Sequence, residues 1–232
     1  MDEILRNGFD ALGLPLTDAA AARFRTYYDH LDAQSRVMNL TAIRGRGETA
    51  RLHFLDCAAV LTAADFRDAS VIDVGTGAGF PGLVMKIAEP SIRLTLLDSL
   101  QKRVQFLRET CGLLGFDDVH CVHGRAEEAS GLRESFDFAV SRAVARLDML
   151  AEICLPFVRV GGAFLAMKGP GAAEELAGAR RAIEALGGGE AEILPYQIPG
   201  TDAAHCVVRV RKISETPEKY PRRWAKIQKS PL

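Results

Sequence analysis

The stretch of the chain with the clearest chemical potential is a glycine-rich run at residues 73–82. It reads Asp73-Val74-Gly75-Thr76-Gly77-Ala78-Gly79-Phe80-Pro81-Gly82. Glycine lets the backbone turn sharply and approach a ligand closely. Gly77, Gly79 and Gly82 also match the GxGxxG spacing of dinucleotide-binding loops, so a nicotinamide or flavin dinucleotide is one candidate ligand.

Two acidic residues accompany this run. A carboxylate at Asp73, two residues before Gly75, suits an ammonium group or a water network near a cationic ligand, and it would be a poor neighbour for a pyrophosphate. Asp98 follows Gly75 by 23 residues, a spacing at which an acid accepts hydrogen bonds from ribose hydroxyls. S-adenosylmethionine (AdoMet) and NAD both need such an acceptor, so Asp98 predicts a nucleoside ligand without choosing between them.

Further polar residues follow later apolar runs. Ala126 and Glu127 come after the third run and could hold an adenine, although acidic residues are also common in the first turn of a helix. Arg142 and Lys168 come after the fourth and fifth runs. Ligands bind at the carboxyl ends of parallel strands, which favours a functional Arg142 over one that caps the sheet edge. Lys168 is predicted to hold a phosphate.

The C-terminal segment carries a concentrated positive charge. Residues 211–232 contain seven basic and two acidic residues, which leaves a net charge of −6 on the rest of this chain of net charge −1. Such asymmetry indicates a partner with phosphates, or else a solvated tail that keeps the protein in solution. The residues expected to contact the phosphates of such a partner are Arg222, Arg223, Lys226 and Lys229.

These residues need a scaffold, and the apolar pattern supplies one from residue 70 onward. Short apolar runs at 71–74, 93–98, 119–122, 136–141 and 162–168 alternate with helical patterns at 82–89, 100–115, 145–158 and 172–186. This alternation predicts a parallel sheet covered on both faces. Two further runs, 190–197 and 204–211, have no helix between them and must pair as an antiparallel hairpin.

The pattern therefore predicts an α/β fold with seven strands, mixed at one edge. Residues 1–65 are predicted to be helical, with one helix starting at Thr17 and Asp18 and another over about 48–64. We expect three regions: an N-terminal helical segment at 1–65, a ligand-binding domain at 66–212 and a basic tail at 213–232. The ligand pocket is expected to form upstream of the tail, at residues 73–142.

Composition excludes several classes of protein. Hydrophobic residues make up 48% and charged residues 25% of the 232 residues, as in ordinary globular domains. Five scattered cysteines form no even framework, and no metal site is predicted. The acidic N-terminus does not resemble a signal peptide, and no apolar run reaches the 18 or so residues of a membrane helix. We expect a cytoplasmic protein.

The glycine run and the terminal hairpin together resemble the AdoMet-dependent methyltransferase fold. The first motif of that fold is (D/E)xGxGxG, and residues 73–79 have this pattern. The resemblance implies a class I, Rossmann-like fold and AdoMet as the cofactor. It also extends to one family, through motifs that recur in a single order along the chain: Asn39-Leu40-Thr41-Ala42-Ile43, His53-Phe54-Leu55-Asp56, the run 73–82, Leu97-Asp98-Ser99, Gly124-Arg125-Ala126-Glu127, Ser141-Arg142-Ala143, Met167-Lys168-Gly169 and Tyr220-Pro221-Arg222-Arg223.

In this order and spacing the chain resembles the bacterial 16S rRNA (guanine-N7) methyltransferase G family. The resemblance implies methyl transfer from AdoMet to N7 of a guanine in the decoding-region loop of 16S rRNA, with the rRNA or a small-subunit particle as the partner. We expect the protein to be a monomer. The resemblance implies that the cofactor is contacted by Gly75, Gly77, Gly79, Phe80, Asp98, Ala126, Glu127 and Arg142. Arg142 is also the implied catalytic residue. The tail departs from the family pattern, because Trp224-Ala225 stands where Ala-Gly is common.

Three other functions stay open on the sequence alone. An AdoMet methyltransferase of small molecules is disfavoured by the basic tail with its aromatic Tyr220 and Trp224. A dinucleotide oxidoreductase is disfavoured by Asp73 and the terminal hairpin. A non-enzymatic RNA-binding module is disfavoured by the intact glycine run.

Overall fold

The computed structural model describes residues 1–142 and 144–232. Ala143, the last residue of the Ser141-Arg142-Ala143 motif, lies outside the described residues. Among the described residues, seven strands form one sheet in the order β3-β2-β1-β4-β5-β7-β6. The strands are β1 (Ser70–Val74), β2 (Arg93–Asp98), β3 (His120–His123), β4 (Phe136–Arg142), β5 (Val158–Lys168), β6 (Gly188–Gln197) and β7 (Ala204–Lys212).

The first five strands pair in parallel, as predicted. They are connected by α5 (Gly82–Ala88), α6 (Gln101–Leu114), short 3-10 turns at Ala126–Glu128 and Ser130–Leu132, and α7 (Leu147–Cys154). α8 (Ala172–Ala185) follows β5. Because the chain order reverses at β1, the segments that leave β1 and β4 run to opposite faces of the sheet, and the crevice between them is where α/β sheets bind ligands.

The predicted hairpin is confirmed. β7 pairs antiparallel with both β5 and β6, so the one reversed strand lies next to the sheet edge and β6 forms the edge itself. Pro195 lies in this edge strand, where a missing N–H is tolerated. The arrangement confirms the predicted class I methyltransferase fold and brings the β6–β7 turn to the carboxyl ends of β4 and β5.

Two hydrophobic clusters cover the two faces of the sheet. One joins the N-terminal helices to α5 and α6, and the other joins α7 and α8 to Ile227 of the tail. Alternate residues of β1 supply both clusters, with Val71 in the first and Ile72 in the second. The predicted boundaries after residues 65 and 212 stay predictions, since both flanking segments share a cluster with the sheet.

The N-terminal region contains α1 (Asp2–Ala11) and α2 (Asp18–Met38). The predicted start of α2 is confirmed, because Thr17 caps the helix by accepting a hydrogen bond from the amide of Ala20 at 3.1 Å. No helix in the described parts of the chain combines the length and the apolar character that a membrane crossing requires.

Several predicted boundaries were wrong. The single helix expected at 48–64 is a composite of α3 (Arg46–Thr49), a π-helical stretch at Ala50–Leu55, α4 (Asp56–Ala58) and a 3-10 turn at Ala59–Thr62. The helix expected at 145–158 ends at Cys154, since Pro156 follows it in a 3-10 turn and β5 begins at Val158. The tail also contains a short helix, α9 (Trp224–Lys229).

Candidate active site

The glycine run forms a tight loop between β1 and α5. Gly75, Gly77 and Gly79 have φ angles of 71°, 61° and 102°, in the left-handed region that favours glycine. The amide of Gly75 donates to the carbonyl of Leu97 at 2.9 Å, which ties the loop to the end of β2. A Cβ at Gly75 would lie 2.7 Å from Cγ2 of Val144, so a side chain here would require both a strained backbone and a shift of Val144.

Asp73 braces this loop against α5. Its Oδ2 accepts hydrogen bonds from the Thr76 hydroxyl at 2.6 Å and the Gly82 amide at 2.7 Å. Its Oδ1 is buried and has no hydrogen-bond partner among the described residues. Burial raises the pKa of Asp73 to about 7, against the opposing hydrogen bonds. The carboxyl group thus holds the loop in shape and keeps one unsatisfied acceptor.

Asp98 links the loop to the second strand. Its Oδ2 accepts from the Gly77 amide at 2.9 Å, and its Oδ1 accepts from the Leu100 amide at 2.9 Å. Arg103 lies 3.5 Å from Oδ2. A carboxylate has about four lone-pair positions, so acceptor capacity remains for a ribose hydroxyl.

A cleft of about 220 Å³ lies beside Gly75 and Asp98 at the carboxyl edge of the sheet. Of the predicted cofactor residues, the cleft wall contains Gly75, Asp98, Ala126 and Glu127. In the described part of the structure, the other four predicted cofactor residues do not line this cleft: Gly77, Gly79, Phe80 and Arg142. The wall also contains Trp224, so the expectation that the pocket forms only upstream of the tail was wrong.

A second cavity, of about 490 Å³, lies on the other side of the β4 end. Val144 borders the first cleft and Arg142 borders the second cavity, so this strand end separates the two. The wall of the second cavity is mostly apolar and includes Ile43, His53, Asp56, Arg142, Met167, Lys168 and His205.

Arg142 is locked in place by four neighbours. Its Nη1 donates to the Leu52 carbonyl at 3.2 Å and to Asp56 Oδ2 at 2.9 Å, and its Nη2 donates to His53 Nδ1 at 2.7 Å. The guanidinium lies 5.0 Å from the centre of the Phe80 ring. These bonds use three of the five N–H groups of an arginine, and the described residues supply no acceptor for the other two.

His53 is neutral and has a defined tautomer. Because a guanidinium can only donate, His53 Nδ1 must accept, and the ring proton lies on Nε2. Nε2 lies 2.7 Å from the Thr41 hydroxyl oxygen, to which it donates. Burial, with a smaller contribution from the Arg142 charge, lowers the pKa of His53 to about 3.

We therefore expect His53 to stay neutral, with its proton on Nε2, between pH 8 and pH 5. The folded pKa is below the ordinary value of 6.5, so the stability that neutral His53 contributes is present above pH 6.5 and is lost as the pH falls toward 3. Imidazole ¹⁵N NMR of the protein reports the tautomer directly. A titration of His53 with a midpoint near 6.5 would contradict this assignment.

Asp56 connects Arg142 to the hairpin. Its Oδ1 accepts from the Tyr196 hydroxyl at 2.8 Å and from His205 Nδ1 at 2.9 Å. His53 belongs to the π-helical stretch and Asp56 begins the next turn, so both side chains reach the same guanidinium. π-helical turns are often found at functional sites.

Lys168 lies on the wall of the second cavity, where it is engaged within the protein. Its Nζ donates to the Ala145 carbonyl at 2.7 Å and to Glu175 Oε2 at 2.8 Å. The predicted phosphate contact of Lys168 stays a prediction. A phosphate would have to accept a hydrogen bond from the third N–H of the ammonium, because the other two are used within the protein.

The tail is docked on α7. Arg222 pairs through two nitrogens with Glu152, whose side chain is fully buried, at 2.7 and 2.6 Å. Arg223, Lys226 and Lys229 are exposed. These four residues therefore divide into one arginine that anchors the tail and three cations that face solvent, and the RNA contacts of all four stay predictions.

Reasoning from the sequence missed part of this site. His53 and Asp56 were identified only as members of a recurring motif, and Tyr196 and His205 were given no role. His53 and Asp56 lie three residues apart in one of the recurring motifs, which was the available signal. Nothing local indicated Tyr196 or His205, because the contact between the hairpin and Asp56 spans 140 residues or more.

Comparisons with known proteins show the family of this chain. A family model described as rRNA small subunit methyltransferase G matches residues 20–198. The ribosomal RNA small subunit methyltransferase G of Alkaliphilus oremlandii is 45% identical over 236 residues, which cover 100% of this chain and 99% of that protein. The protein of the same name from Clostridium botulinum is 43% identical over 233 residues, 99% and 98% of the two chains.

Solved structures share the fold at low identity. The O-methyltransferase from Bacillus cereus in complex with SAH has a TM-score of 0.56 and 15% identity, with 81% of this chain and 91% of that one covered. A SAM-dependent methyltransferase from Aquifex aeolicus has a TM-score of 0.53 and 18% identity, with 71% and 93% covered. From the match of the family model and the full-length relatives, this chain belongs to the rRNA small subunit methyltransferase G family.

Proposed function

We propose that this chain transfers a methyl group from AdoMet to N7 of a guanine in the decoding-region loop of 16S rRNA. The observation that carries the proposal is the pair of cavities separated by the end of β4, in a chain of this family. One cavity suits a nucleoside cofactor and the other suits a base. The chain acts as a monomer in the cytoplasm, on free rRNA or on a small-subunit particle.

The first cleft suits AdoMet. AdoMet supplies an electrophilic methyl group on a sulfonium sulfur. Gly75 leaves room that a Cβ would fill, and Asp98 offers acceptor capacity to the ribose. Ala126 and Glu127 border the same cleft. The loop that borders the cleft is shaped by residues that do not line it, namely Gly77, Gly79 and Phe80.

The second cavity suits the guanine. Its mostly apolar wall can pack against the base. Arg142 supplies two N–H groups for guanine O6 or an RNA phosphate. His53 and Asp56 hold the guanidinium so that these groups keep one orientation before the RNA arrives.

Positioning is sufficient for this reaction. Guanine N7 has an in-plane lone pair and no proton, so the chain needs no general base. The N7–carbon bond forms as the carbon–sulfur bond breaks, and the electron pair of the broken bond remains on sulfur. Holding the two reacting atoms in line can supply a large part of the rate enhancement.

The charge around Arg142 also fits the reaction. N7 becomes positive in the transition state, and an isolated cation beside it would oppose that change. Asp56 lies 2.9 Å from Arg142 and neutralises its charge, and His53 is neutral. The cluster can thus donate hydrogen bonds without a net positive charge.

The exposed cations of the tail are proposed to contact RNA phosphates. Replacing Arg223, Lys226 and Lys229 together with alanine is expected to reduce the slope of log affinity against log salt by up to about 2.1, at about 0.7 per contact. RNA binding measured at several salt concentrations reports this slope. Arg222→Ala is the matched comparison, because it should lower stability by leaving Glu152 buried without a partner. An unchanged slope in the triple variant would remove the tail as an RNA contact.

The proposed function is tested with labelled AdoMet. The protein is incubated with methyl-labelled AdoMet and either small-subunit rRNA, small-subunit particles or large-subunit rRNA, all from cells that lack this enzyme. Label is expected in small-subunit rRNA, either free or in the particle, and not in large-subunit rRNA. Label in neither rRNA, in the free or the assembled form, would contradict an rRNA substrate and favour a small-molecule acceptor.

A further inference from the structure

The tail contributes an aromatic side chain to the cofactor cleft. Trp224 is part of the cleft wall together with Gly75, Ala126 and Glu127. It is the one tryptophan of the chain. The indole is partly buried, and it packs against the hydrophobic cluster that α7 and α8 form under the sheet.

Trp224 is held there by anchors on both sides. Two residues before it, Arg222 forms the paired contact with buried Glu152. Three residues after it, Ile227 is fully buried in the same cluster. The Tyr220 carbonyl accepts a hydrogen bond from Arg133 at 2.8 Å. The position of the indole is therefore a property of the docked tail.

We infer that Trp224 is a cofactor-binding residue, which packs against the adenosine part of AdoMet. This inference rests on the proposed function, in which AdoMet occupies the first cleft. The indole shares the wall of this cleft with Ala126 and Glu127, the residues proposed to border the adenine, which favours the adenosine end of the ligand. An aromatic ring and an adenine stack through their π faces. The tail therefore forms one side of the cofactor pocket, and the glycine loop forms another.

Fluorescence tests this inference on the unaltered protein. With one tryptophan, all emission excited at 295 nm comes from Trp224. Titration with AdoMet, and separately with S-adenosylhomocysteine, is expected to change this emission in a saturable way, with the same Kd as calorimetry gives. Binding in the calorimeter without any change in emission would overturn the role of Trp224. The absence of heat and of any emission change would instead contradict the proposed cofactor.

Variants provide the second measurement. Trp224→Ala is expected to weaken AdoMet binding about tenfold by calorimetry, since stacking of a base on an aromatic side chain is lost. Trp224→Phe keeps an aromatic ring and should stay within about threefold of the parent protein. Gln228→Ala, at an exposed position of the same helix, is the control and should leave Kd unchanged.

The tail anchors distinguish a local effect from a loss of structure. Arg222 and Ile227 remain in Trp224→Ala, so its melting temperature should fall only slightly. If Trp224→Ala melts as the parent protein does and binds AdoMet with the parent Kd, the inference is wrong. If Gln228→Ala weakens binding as much as Trp224→Ala does, the effect belongs to the helix as a whole and the inference is also wrong.

Discussion

Gly75→Val is expected to weaken AdoMet binding by at least about 100-fold. Gly75 has a φ of 71°, and its Cβ position lies 2.7 Å from Cγ2 of Val144, inside the cleft wall. A β-branched side chain there must either occupy the cleft or push Val144 and the loop out of position, and the lost fit to the cofactor costs roughly 3 kcal/mol or more of binding free energy. Calorimetry with AdoMet measures the loss.

Gly115→Val is the matched control for this variant. Gly115 has nearly the same φ, 69°, but nothing lies within 4 Å of its Cβ position at the end of α6. It should therefore lose comparable stability from backbone strain and keep its AdoMet affinity. Equal affinity in the two variants would contradict the placement of the cofactor beside Gly75.

Arg142→Lys is expected to lower kcat for rRNA methylation by about 100-fold, with little change in AdoMet affinity. Lysine keeps the positive charge beside Asp56, so the carboxylate retains a counter-ion. A single ammonium cannot contact Leu52, Asp56 and His53 in the arrangement of the guanidinium. Misplacement of about 1 Å can reduce the rate by this factor. Single-turnover kinetics with saturating AdoMet measures the effect.

Arg146→Lys serves as its control. Arg146 follows the same strand, is 68% exposed and pairs with Asp148 at 3.1 Å. Surface ion pairs contribute little, so this variant should turn over like the parent protein. Arg142→Ala is a poorer test of catalysis, because it leaves Asp56 without its counter-ion and is expected to lower stability by about 3–5 kcal/mol. Parent turnover in Arg142→Lys would show that the arginine only packs the site.

The strands and the glycine loop could be predicted because their determinants are local. Apolar runs of four to seven residues that alternate with helical patterns gave the parallel sheet, and the lack of a helix between 197 and 204 gave the hairpin. The spacing between Gly75 and Asp98, and the position of Glu127 after the third apolar run, indicated one sheet edge, and all three residues border the observed cleft.

The second cavity could not be predicted, because contacts between distant segments form it. The π-helical stretch at Ala50–Leu55 has no sequence signature that separates it from an α-helix, yet it brings His53 toward Arg142. Tyr196 and His205 follow an ordinary strand alternation, and only the pairing of β7 beside β5 brings them to Asp56.

The tail shows a similar limit. Its charge predicted RNA contacts, but charge counts treat every arginine alike. Arg222 differs from Arg223 only because Glu152 is buried beneath it, 70 residues earlier in the sequence. That same contact sets Trp224 against the cofactor cleft, where neither composition nor the family motifs had placed it.

The most direct test of the account is to locate the methyl group on the rRNA. 16S rRNA from cells lacking this enzyme is incubated with the protein and AdoMet, then reduced with borohydride and treated with aniline, which cleaves the chain at N7-methylguanosine. We predict one new break, at a guanine of the decoding-region loop, that is absent with Gly75→Val. Incorporation of methyl groups without an aniline-sensitive guanine would place the methyl on another atom and contradict the account.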